Sequence, residues 1–397
     1  MPMRVKIRPP KIRPPKILPR RYEIIVGIPS YNEAKNISNT TAVIDKGLTK
    51  YFPEKKALII NVDSDSQDNT KKAFSNTKTK TPKHYISCPR GKGASLKKLF
   101  EYFMETDSAE ILVIIDANAT TASPRWIRNL TLPILKGFDH VFPIYNGHEH
   151  DTTVTNHFCY PVVRGVLGVD IRQLRTGETA MSRRAVDRLL SRAWPASAEK
   201  YGIDILSPLS SIFGELRMAQ SYLGERLHSE EMDRLIDSFE DRASTLFDKL
   251  DKYSNLWKGD VRTRKPPVFF SGHRKSKHPS AKIDYRSRID YAILEFKKNK
   301  AVIGKIVDDT IYKKLSSMFR QGGRLIINAD EWAEIVLSFV SASKVSPAKR
   351  AKALRPLYFA RFVTFYREFL DKPHNVAEQA IIEQGEIFFK SRREFIK

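Results

Sequence analysis

The segment ILVIIDANAT, residues 111–120, constrains the fold of this chain more than any other stretch of its sequence. Five apolar residues lead directly into Asp116, and only small or polar residues follow before Pro124. A short apolar run bounded by polar turn residues is typical of a strand buried on both faces, as at the centre of a parallel sheet. Ligands of open α/β sheets bind outside the carboxyl ends of the strands, so Asp116 is predicted to lie at a ligand site. A carboxylate that only caps the next turn would show the same residues, and the preceding strands decide between the two interpretations.

Three further apolar strands precede this one, and each ends in a polar or glycine-containing loop. They are predicted at residues 22–29, 57–62 and 84–87, and helical patterns separate successive strands by roughly 25 to 30 residues. This alternation predicts right-handed βαβ crossovers and a mainly parallel sheet, whose four loops would line one edge. The loop residues that we expect at this edge are Pro29, Ser30, Tyr31 and Glu33, then Asp63 and Ser64, then Lys92, and finally Asp116 and Ala117.

The third of these loops reads RGKGAS, residues 90–95, and superficially suggests a phosphate-binding P-loop. The G-x-x-x-x-G-K-[ST] spacing is absent, because Gly93 follows Lys92 where the motif requires Ser or Thr. What the loop does present is a lysine at a glycine-flanked helix start, where backbone amides, the helix dipole and a cation could all face a phosphate. Alone, the segment would suit an ordinary loop with a surface lysine.

Taken in order, the four loops resemble the nucleotide-sugar domain of family-two-like glycosyltransferases, which have the GT-A fold. The resemblance rests on IPSYNEA at 28–34, on the pattern Asp63-Ser64-x-Ser66-x-Asp68-x-Thr70, on the RGKGA loop and on the Asp-x-Asp-like segment 116–118. It implies a Rossmann-like, mainly parallel catalytic domain that binds a nucleoside diphosphate sugar. The loop residues named above would then form the donor site, with Asp63 at the ribose or base edge.

Later motifs resemble the group of glucosyl-3-phosphoglycerate and mannosylglycerate synthases. These motifs are Thr176-Gly177-Glu178, the segment YGID at 201–204, and LGERLH at 223–228. The resemblance implies a retaining transfer of a hexose from a UDP- or GDP-sugar to a small hydroxy acid such as glycerate or 3-phosphoglycerate. The residue roles it implies are a divalent Mg or Mn ion on Asp116, Asn118 and His228, acceptor contacts from Thr153, Thr155, Asn156, Glu178 and Asp204, and catalytic roles for Lys92, Glu178 and Asp204.

Three departures from the pattern of this group bear on the substrates. Asn118 replaces the second acid of Asp-x-Asp, so the site loses one negative charge and should hold a hard divalent ion less tightly, although an amide oxygen can still act as a ligand. Arg175 and Thr176 stand where a Leu-Gly-type pair is expected, which alters the sugar pocket. The arginine beside the acceptor threonine in phosphoglycerate-using members is also a threonine here.

The net charge indicates which classes of partner the protein binds, and the cysteine content indicates its cellular compartment. Lys and Arg exceed Asp and Glu by 69 to 45, a formal charge of +24, which favours anionic partners such as nucleotides, phosphorylated acceptors, RNA or an acidic membrane surface. We expect no DNA partner. Cys88 and Cys159 lie far apart without metal-ligand spacing, which indicates buried thiols in a reducing compartment. No apolar run approaches the ~20 residues of a membrane span, so the sequence predicts a cytoplasmic protein.

The chain is predicted to contain a basic arm, a catalytic domain and a helical domain. In the arm, residues 1–21, a repeated KIRPP favours extended polyproline geometry and could contact an anionic membrane. The catalytic domain is assigned to residues 22–230. From 231 to 397 apolar residues recur at helical spacing, and their aromatic stripe is typical of a helix core or of a dimer face, so we expect a homodimer.

Two other functions and one mechanistic alternative stay open at this point. Transfer to a polyprenyl phosphate or another lipid acceptor at a membrane would suit the basic arm. A non-enzymatic RNA-binding protein would suit the charge, although no RRM, KH or OB pattern supports it. An inverting enzyme would need a carboxylate base, for which Asp204 is the candidate, whereas in a retaining enzyme an oxygen of the leaving group would take the proton.

Overall fold

One mixed sheet organises the part of the chain that the structure describes. The computed structural model describes residues 21–146, 153–175, 177–226, 232–272, 284–321 and 325–395. Most of the predicted basic arm and the predicted metal ligand His228 lie outside these residues. The described strands are β1 (Ile24–Ser30), β2 (Ala57–Asp63), β3 (Lys83–Ser87), β4 (Ile111–Ile115), β5 (His140–Asn146), β6 (Glu178–Ser182), β7 (Met218–Glu225) and β8 (Val268–Phe269), in the sheet order β3-β2-β1-β4-β6-β5-β7-β8.

The four predicted strands form the parallel half of this sheet. Strand β1 pairs in parallel with β2 and with β4, and β2 pairs in parallel with β3. Every residue of β4 is buried, and its alternate side chains face two different hydrophobic clusters. Val113 belongs to one cluster with Trp126, and Leu112 belongs to the other with Phe100. Packing on both faces explains the unbroken apolar run and confirms the predicted buried strand.

Strand β6 reverses the direction of the sheet beside β4. It runs antiparallel to β4, and the register places Glu178 opposite Ile115, the last residue of β4. The residues just before β6 therefore lie at the same edge as the carboxyl end of β4. Strand β5 is antiparallel to β6, and β7 is parallel to β5. Sequence patterns alone did not predict this reversal.

Helices cover the sheet and form most of the C-terminal part of the chain. They are α1 (Ile37–Tyr51), α2 (Thr70–Asn76), α3 (Lys92–Glu105), α4 (Pro124–Leu135), α5 (Tyr160–Leu167), α6 (Arg183–Leu190), α7 (Ile203–Phe213), α8 (Met232–Lys252), α9 (Tyr285–Ile303), α10 (Asp309–Gln321), α11 (Ala329–Ser341), α12 (Pro347–Phe369) and α13 (His374–Phe395). The predicted α/β fold with a helical C-terminal region is confirmed. No helix within the described ranges is both long and apolar enough to cross a bilayer.

The predicted boundary at residue 230 is crossed by a continuous hydrophobic core. Phe158, which precedes α5, packs against Phe239 of α8 with ring centroids 5.2 Å apart. Phe239 in turn stacks on Tyr358 of α12 at 4.4 Å. Strand β8 also follows this boundary in sequence and still pairs with β7. The C-terminal helices therefore share their core with the catalytic part, and the division into two domains stays a prediction.

Candidate active site

The loops after the parallel strands meet at one edge of the sheet, as their order in the sequence predicted. The backbone N–H of Ser64 donates to the carbonyl of Ser30 at 2.8 Å, which links the loops after β1 and β2. The N–H of Ala117 donates to the carbonyl of Pro29 at 3.4 Å, which links the loops after β1 and β4. The Ser64 hydroxyl donates to the carbonyl of Gly91 at 3.4 Å and so reaches the loop before α3. Four separate stretches of sequence thus form one surface.

Asp63, a predicted donor-binding residue, is almost fully buried and accepts several hydrogen bonds. Its Oδ1 accepts from the hydroxyls of Ser30, at 3.1 Å, and of Ser66. Its Oδ2 accepts from the Tyr85 hydroxyl at 2.9 Å. Burial, together with the hydrogen bond to Asp63, raises the pKa of Tyr85 to about 12, so Tyr85 stays a donor at neutral pH. These bonds hold the carboxylate in one orientation, and its contact with a nucleotide stays a prediction.

Tyr31 and Glu33 lie in the loop after β1. The Arg90 guanidinium lies over the Tyr31 ring, 4.6 Å from its centroid. The backbone N–H of Glu33 donates to the Thr70 hydroxyl at 2.8 Å, and Glu33 Oε2 accepts from the Asn36 amide at 2.8 Å. The loop after β1 is therefore tied to the start of α2 and to its own helix, which leaves it a defined shape.

Lys92, Asp116 and Asp204 form the centre of the candidate site. Lys92 begins α3, Asp116 follows β4, and Asp204 lies in the first turn of α7. Lys92 Nζ lies 3.4 Å from Asp116 Oδ2 and 3.1 Å from Asp204 Oδ1. One ammonium group therefore bridges two carboxylates that are 88 residues apart in sequence.

The three charges change one another's protonation equilibria. Burial on its own would raise the pKa of Asp116, but Lys92, Arg175 and Arg226 outweigh it and lower that pKa. Burial would likewise raise the pKa of Asp204, and the nearby cations hold it well below its usual range. For Lys92, burial opposes the charge, yet the two carboxylates raise its pKa. All three groups are therefore ionised near neutral pH.

Two arginines flank Asp116: Arg175, which the sequence placed only at the sugar pocket, and Arg226, for which the sequence predicted no role. Arg175 Nη2 lies 3.6 Å from Asp116 Oδ2, and Arg226 Nη2 lies 3.8 Å from the same oxygen. Arg226 also pairs with Glu178 Oε1 at 3.2 Å, and the Tyr145 hydroxyl donates to Glu178 Oε2 at 3.0 Å. The reversal at β6 brings Arg175 to Asp116, since the Asp116 N–H donates to the carbonyl of the intervening Gly177 at 2.8 Å. The sequence signal that could have placed these arginines in the site is their position: Arg175 directly precedes the Thr-Gly-Glu motif, and Arg226 is the arginine of the Gly-Glu-Arg motif.

The C-terminal part contributes one more cation to the site. Arg242 of α8 donates through Nη2 to Asp204 Oδ2 at 2.7 Å. Asp204 is fully buried, and Lys92 holds its other carboxylate oxygen. Helix α8 thereby fixes the carboxylate that positions Lys92, a link that periodicity within α8 could not reveal.

The predicted acceptor residues Thr153, Thr155 and Asn156 are buried, and Thr153 and Asn156 are in contact with the C-terminal helices. Tyr358 of α12 donates to the Thr153 hydroxyl at 2.7 Å. The Asn156 amide oxygen accepts from Arg172 at 2.8 Å. Both side chains thus serve internal packing as the structure stands, and their contact with an acceptor stays a prediction.

The predicted metal ligands divide into those that the structure describes and one that it does not. Asp116 and Asn118 lie at the carboxyl end of β4, whereas His228 is outside the described residues. The Asn118 Oδ1 atom is buried without a hydrogen-bond partner within the described ranges. No group of three His, Cys, Asp or Glu side chains in those ranges is arranged to hold a metal ion. The described residues therefore offer a carboxylate and a free amide oxygen, which are ligand types that Mg²⁺ and Mn²⁺ accept.

Gly177 must lack a side chain for Asp116 to keep its place. A Cβ at this position would lie 2.3 Å from Asp116 Oδ2, well inside van der Waals contact. We expect Gly177→Ala to displace the carboxylate and to lower turnover by about 100-fold, since small misplacements of reacting groups cost that much. Steady-state kinetics on the folded variant tests this. Gly304→Ala, at a helix end with φ −65° where the added Cβ meets only the Tyr312 ring, is the control, and wild-type turnover of Gly177→Ala would contradict the assigned geometry.

Comparisons with known proteins found similar solved structures but no curated relative. Among solved structures, the chain is similar to glucosyl-3-phosphoglycerate synthase from Mycobacterium tuberculosis, with 24% identity and a TM-score of 0.46 over 57% of this chain and 80% of that chain. The structure of that enzyme with Mn²⁺, uridine diphosphate and glucosyl-3-phosphoglycerate gives 25% identity and a TM-score of 0.48 over 57% and 80% of the two chains. The structure with Mg²⁺ and uridine diphosphate gives 23% and 0.44 over 57% and 79%. A search of curated proteins found no significant match.

The comparison with family models identifies the class of the parallel half. Residues 25–188 match the model described as Glycosyl transferase family 2. This segment contains the four strand-end loops, Lys92, Asp116 and Glu178. Residues 25–188 are therefore a glycosyl transferase family 2 domain, and the chain that carries it is a nucleotide-sugar-dependent glycosyltransferase.

Proposed function

We propose that this protein transfers a hexose from a UDP- or GDP-sugar to a small hydroxy acid such as glycerate or 3-phosphoglycerate, with retention of configuration. The observation that carries the proposal is the bridge that Lys92 makes between Asp116 and Asp204 at the shared edge of the sheet. A cation held there faces the loops that bind nucleotide sugars in this family. Lys92, Asn118 and Asp204 support the choice of leaving group, cation and stereochemistry, respectively.

A fixed cation is what departure of a nucleoside diphosphate requires. Negative charge develops on the diphosphate as the bond to the sugar breaks, and a preorganised positive group lowers the energy of that state. Lys92 lies at the start of α3, where the helix dipole also favours an anion. The two carboxylates keep Lys92 protonated and restrict its position, so it needs no rearrangement to receive the charge.

Asp116 and Asn118 would hold a divalent Mg²⁺ or Mn²⁺ ion, and His228 is the proposed further ligand. The unpaired Asn118 amide oxygen supports this assignment because a buried polar atom without a partner is costly unless a ligand satisfies it. When bound, the cation would neutralise part of the diphosphate charge as a Lewis acid. An amide in place of a carboxylate weakens the site for hard cations.

The surroundings of Asp204 favour retention. A general base must accept a proton, yet Lys92 and Arg242 bind the two oxygens of Asp204 and hold its pKa well below the usual range. Asp204 is therefore a poor base, and we assign it the role of positioning Lys92. A departing diphosphate oxygen then takes the proton of the acceptor hydroxyl, on the face of the sugar that the leaving group vacates. Glu178, held by Tyr145 and Arg226, would contact the sugar.

A thermal-shift screen tests donor and metal together. UDP-, GDP- and ADP-sugars would be added with and without Mn²⁺, and a donor at 100 times its Kd should stabilise the fold by about 2.7 kcal/mol. Free hexoses and nucleoside monophosphates are the controls. Turnover of the stabilising donor with glycerate or 3-phosphoglycerate, followed by NMR of the anomeric proton, then reports acceptor and configuration. Absence of any shift with all three donor classes would remove the proposal.

A further inference from the structure

Arg175 combines deep burial with an incomplete set of partners. Its side chain is 6% exposed, and its Nε atom is buried without a hydrogen-bond partner among the described residues. The pair with Asp116 spans 3.6 Å, which is beyond hydrogen-bond distance. Burying a guanidinium N–H without an acceptor is costly. A ligand that supplies the missing acceptor would remove this cost.

The cationic side chains around Asp116 favour an anion as the ligand. Among the described residues, the ion-paired cluster contains four cationic side chains and three carboxylates. Its members are Lys92, Arg175, Arg226, Arg242, Asp116, Glu178 and Asp204. Lys92, Arg175 and Arg226 all approach one oxygen, Asp116 Oδ2, so a single carboxylate is shared by three cations. Phosphate oxygens arranged beside Asp116 would give the Arg175 Nε an acceptor and would add an anion to this group of cations.

Asn118 and Arg175 both affect how strongly this site would bind a divalent metal ion. Asn118 is uncharged, so a divalent ion held at Asp116 has one fewer negative ligand than it would have with Asp at position 118. Arg175 adds a positive charge within 3.6 Å of the same carboxylate. Both features lower the affinity of this edge for a cation, and both raise its affinity for a diphosphate. Arginine suits this task because its planar fork can donate two hydrogen bonds to one phosphate.

We propose that Arg175 binds the donor diphosphate directly, together with Lys92. Because the Asn118 amide weakens binding of a divalent metal, the positive charge of Arg175 would take over part of the metal's role in neutralising the diphosphate. This inference rests on the proposed function, since it requires a nucleoside diphosphate at the edge after β4. It adds that the chain binds nucleoside diphosphates in the absence of divalent cations, and that the metal strengthens this binding only modestly.

Calorimetric titration of UDP and of GDP, each in EDTA and in Mn²⁺, tests the inference without any measurement of activity. For the nucleotide that binds, we expect wild-type Kd values in EDTA and Mn²⁺ to agree within about tenfold. Loss of a charge-assisted pair weakens binding by about tenfold or more, so Arg175→Gln should show that loss in EDTA and a smaller one in Mn²⁺. Arg175→Lys keeps the charge and should recover part of the affinity. Arg184→Gln, at a side chain that is 66% exposed, is the matched control.

Replacement of the amide supplies the reciprocal test. Asn118→Asp restores a carboxylate, so Mn²⁺ should bind more tightly and the ratio of Kd in EDTA to Kd in Mn²⁺ should rise by at least about tenfold. Circular dichroism confirms that each variant is folded. Wild-type binding that disappears in EDTA, or Arg175→Gln binding that equals wild type, would overturn the inference and leave the proposed function intact. Failure of both nucleotides to bind even in Mn²⁺ would instead reject the proposed function.

Discussion

Replacing Lys92 with methionine will lower kcat by about 100- to 1000-fold, the range seen when one preorganised electrostatic donor is removed from an active site. Methionine keeps much of the length of the side chain but cannot bridge Asp116 and Asp204 or receive charge from a departing diphosphate. Asp204 keeps Arg242 as a partner at 2.7 Å, so the variant should remain folded. Release of nucleoside diphosphate, measured at saturating donor and acceptor, gives kcat directly.

Lys98→Met is the matched control for this change. Lys98 lies on the same helix, is 53% exposed and pairs only with Glu101, at 3.6 Å, among the described residues. An exposed pair of this kind contributes little to stability, so the control should show wild-type kinetics. A kcat of Lys92→Met within threefold of wild type would show that the bridge plays no part in turnover.

Replacing Asp116 with asparagine will lower kcat/KM by more than about 1000-fold, since the variant lacks the carboxylate that Lys92, Arg175 and Arg226 all approach. Lys92, Arg175 and Arg226 would then repel one another without a central carboxylate. Breaking a buried ion pair costs on the order of 3 kcal/mol, so we also expect a lower free energy of unfolding. Urea titration and steady-state kinetics measure the two effects separately.

Asp107→Asn serves as the control for Asp116→Asn, because Asp107 is exposed and lies just before the same strand. It should change neither quantity. The addition of Mn²⁺ should not restore the Asp116 variant, since the remaining amide oxygens are weaker ligands. Turnover by Asp116→Asn within tenfold of wild type would refute the assignment of the edge after β4 as the active site.

The parallel half of the fold and the position of Asp116 could be predicted because the relevant signals are local. Buried parallel strands show unbroken apolar runs, and β4 occurs at residues 111–115 as expected. The polar residues after each run follow from the crossover rule, which places all four loops at one edge. The enzyme class and the helical C-terminal region were confirmed as well. The homodimer, membrane contact, cytoplasmic location and acceptor identity stay predictions.

The charge balance of the site could not be predicted, because it depends on contacts between distant residues. Arg242 reaches Asp204 from α8, on the far side of a boundary that the sequence suggested between two domains. Arg175 reaches Asp116 because β6 runs antiparallel to β4, and periodicity does not report strand direction. The resemblance implied acceptor contacts for Thr153 and Asn156, yet both side chains are buried, and Tyr358 of α12 donates to the Thr153 hydroxyl.

By itself, the sequence determined that this chain forms a parallel α/β sheet and delivers Asp116, Lys92 and Asp63 to one edge. Those outcomes depend on hydrophobic periodicity and on chain topology, which neighbouring residues encode. Only the tertiary structure decided which cations surround Asp116, which carboxylate is held by two cations, and which of the predicted acceptor residues are buried. Ion pairs form between side chains that are dozens of residues apart, so their partners exist only once the chain has folded.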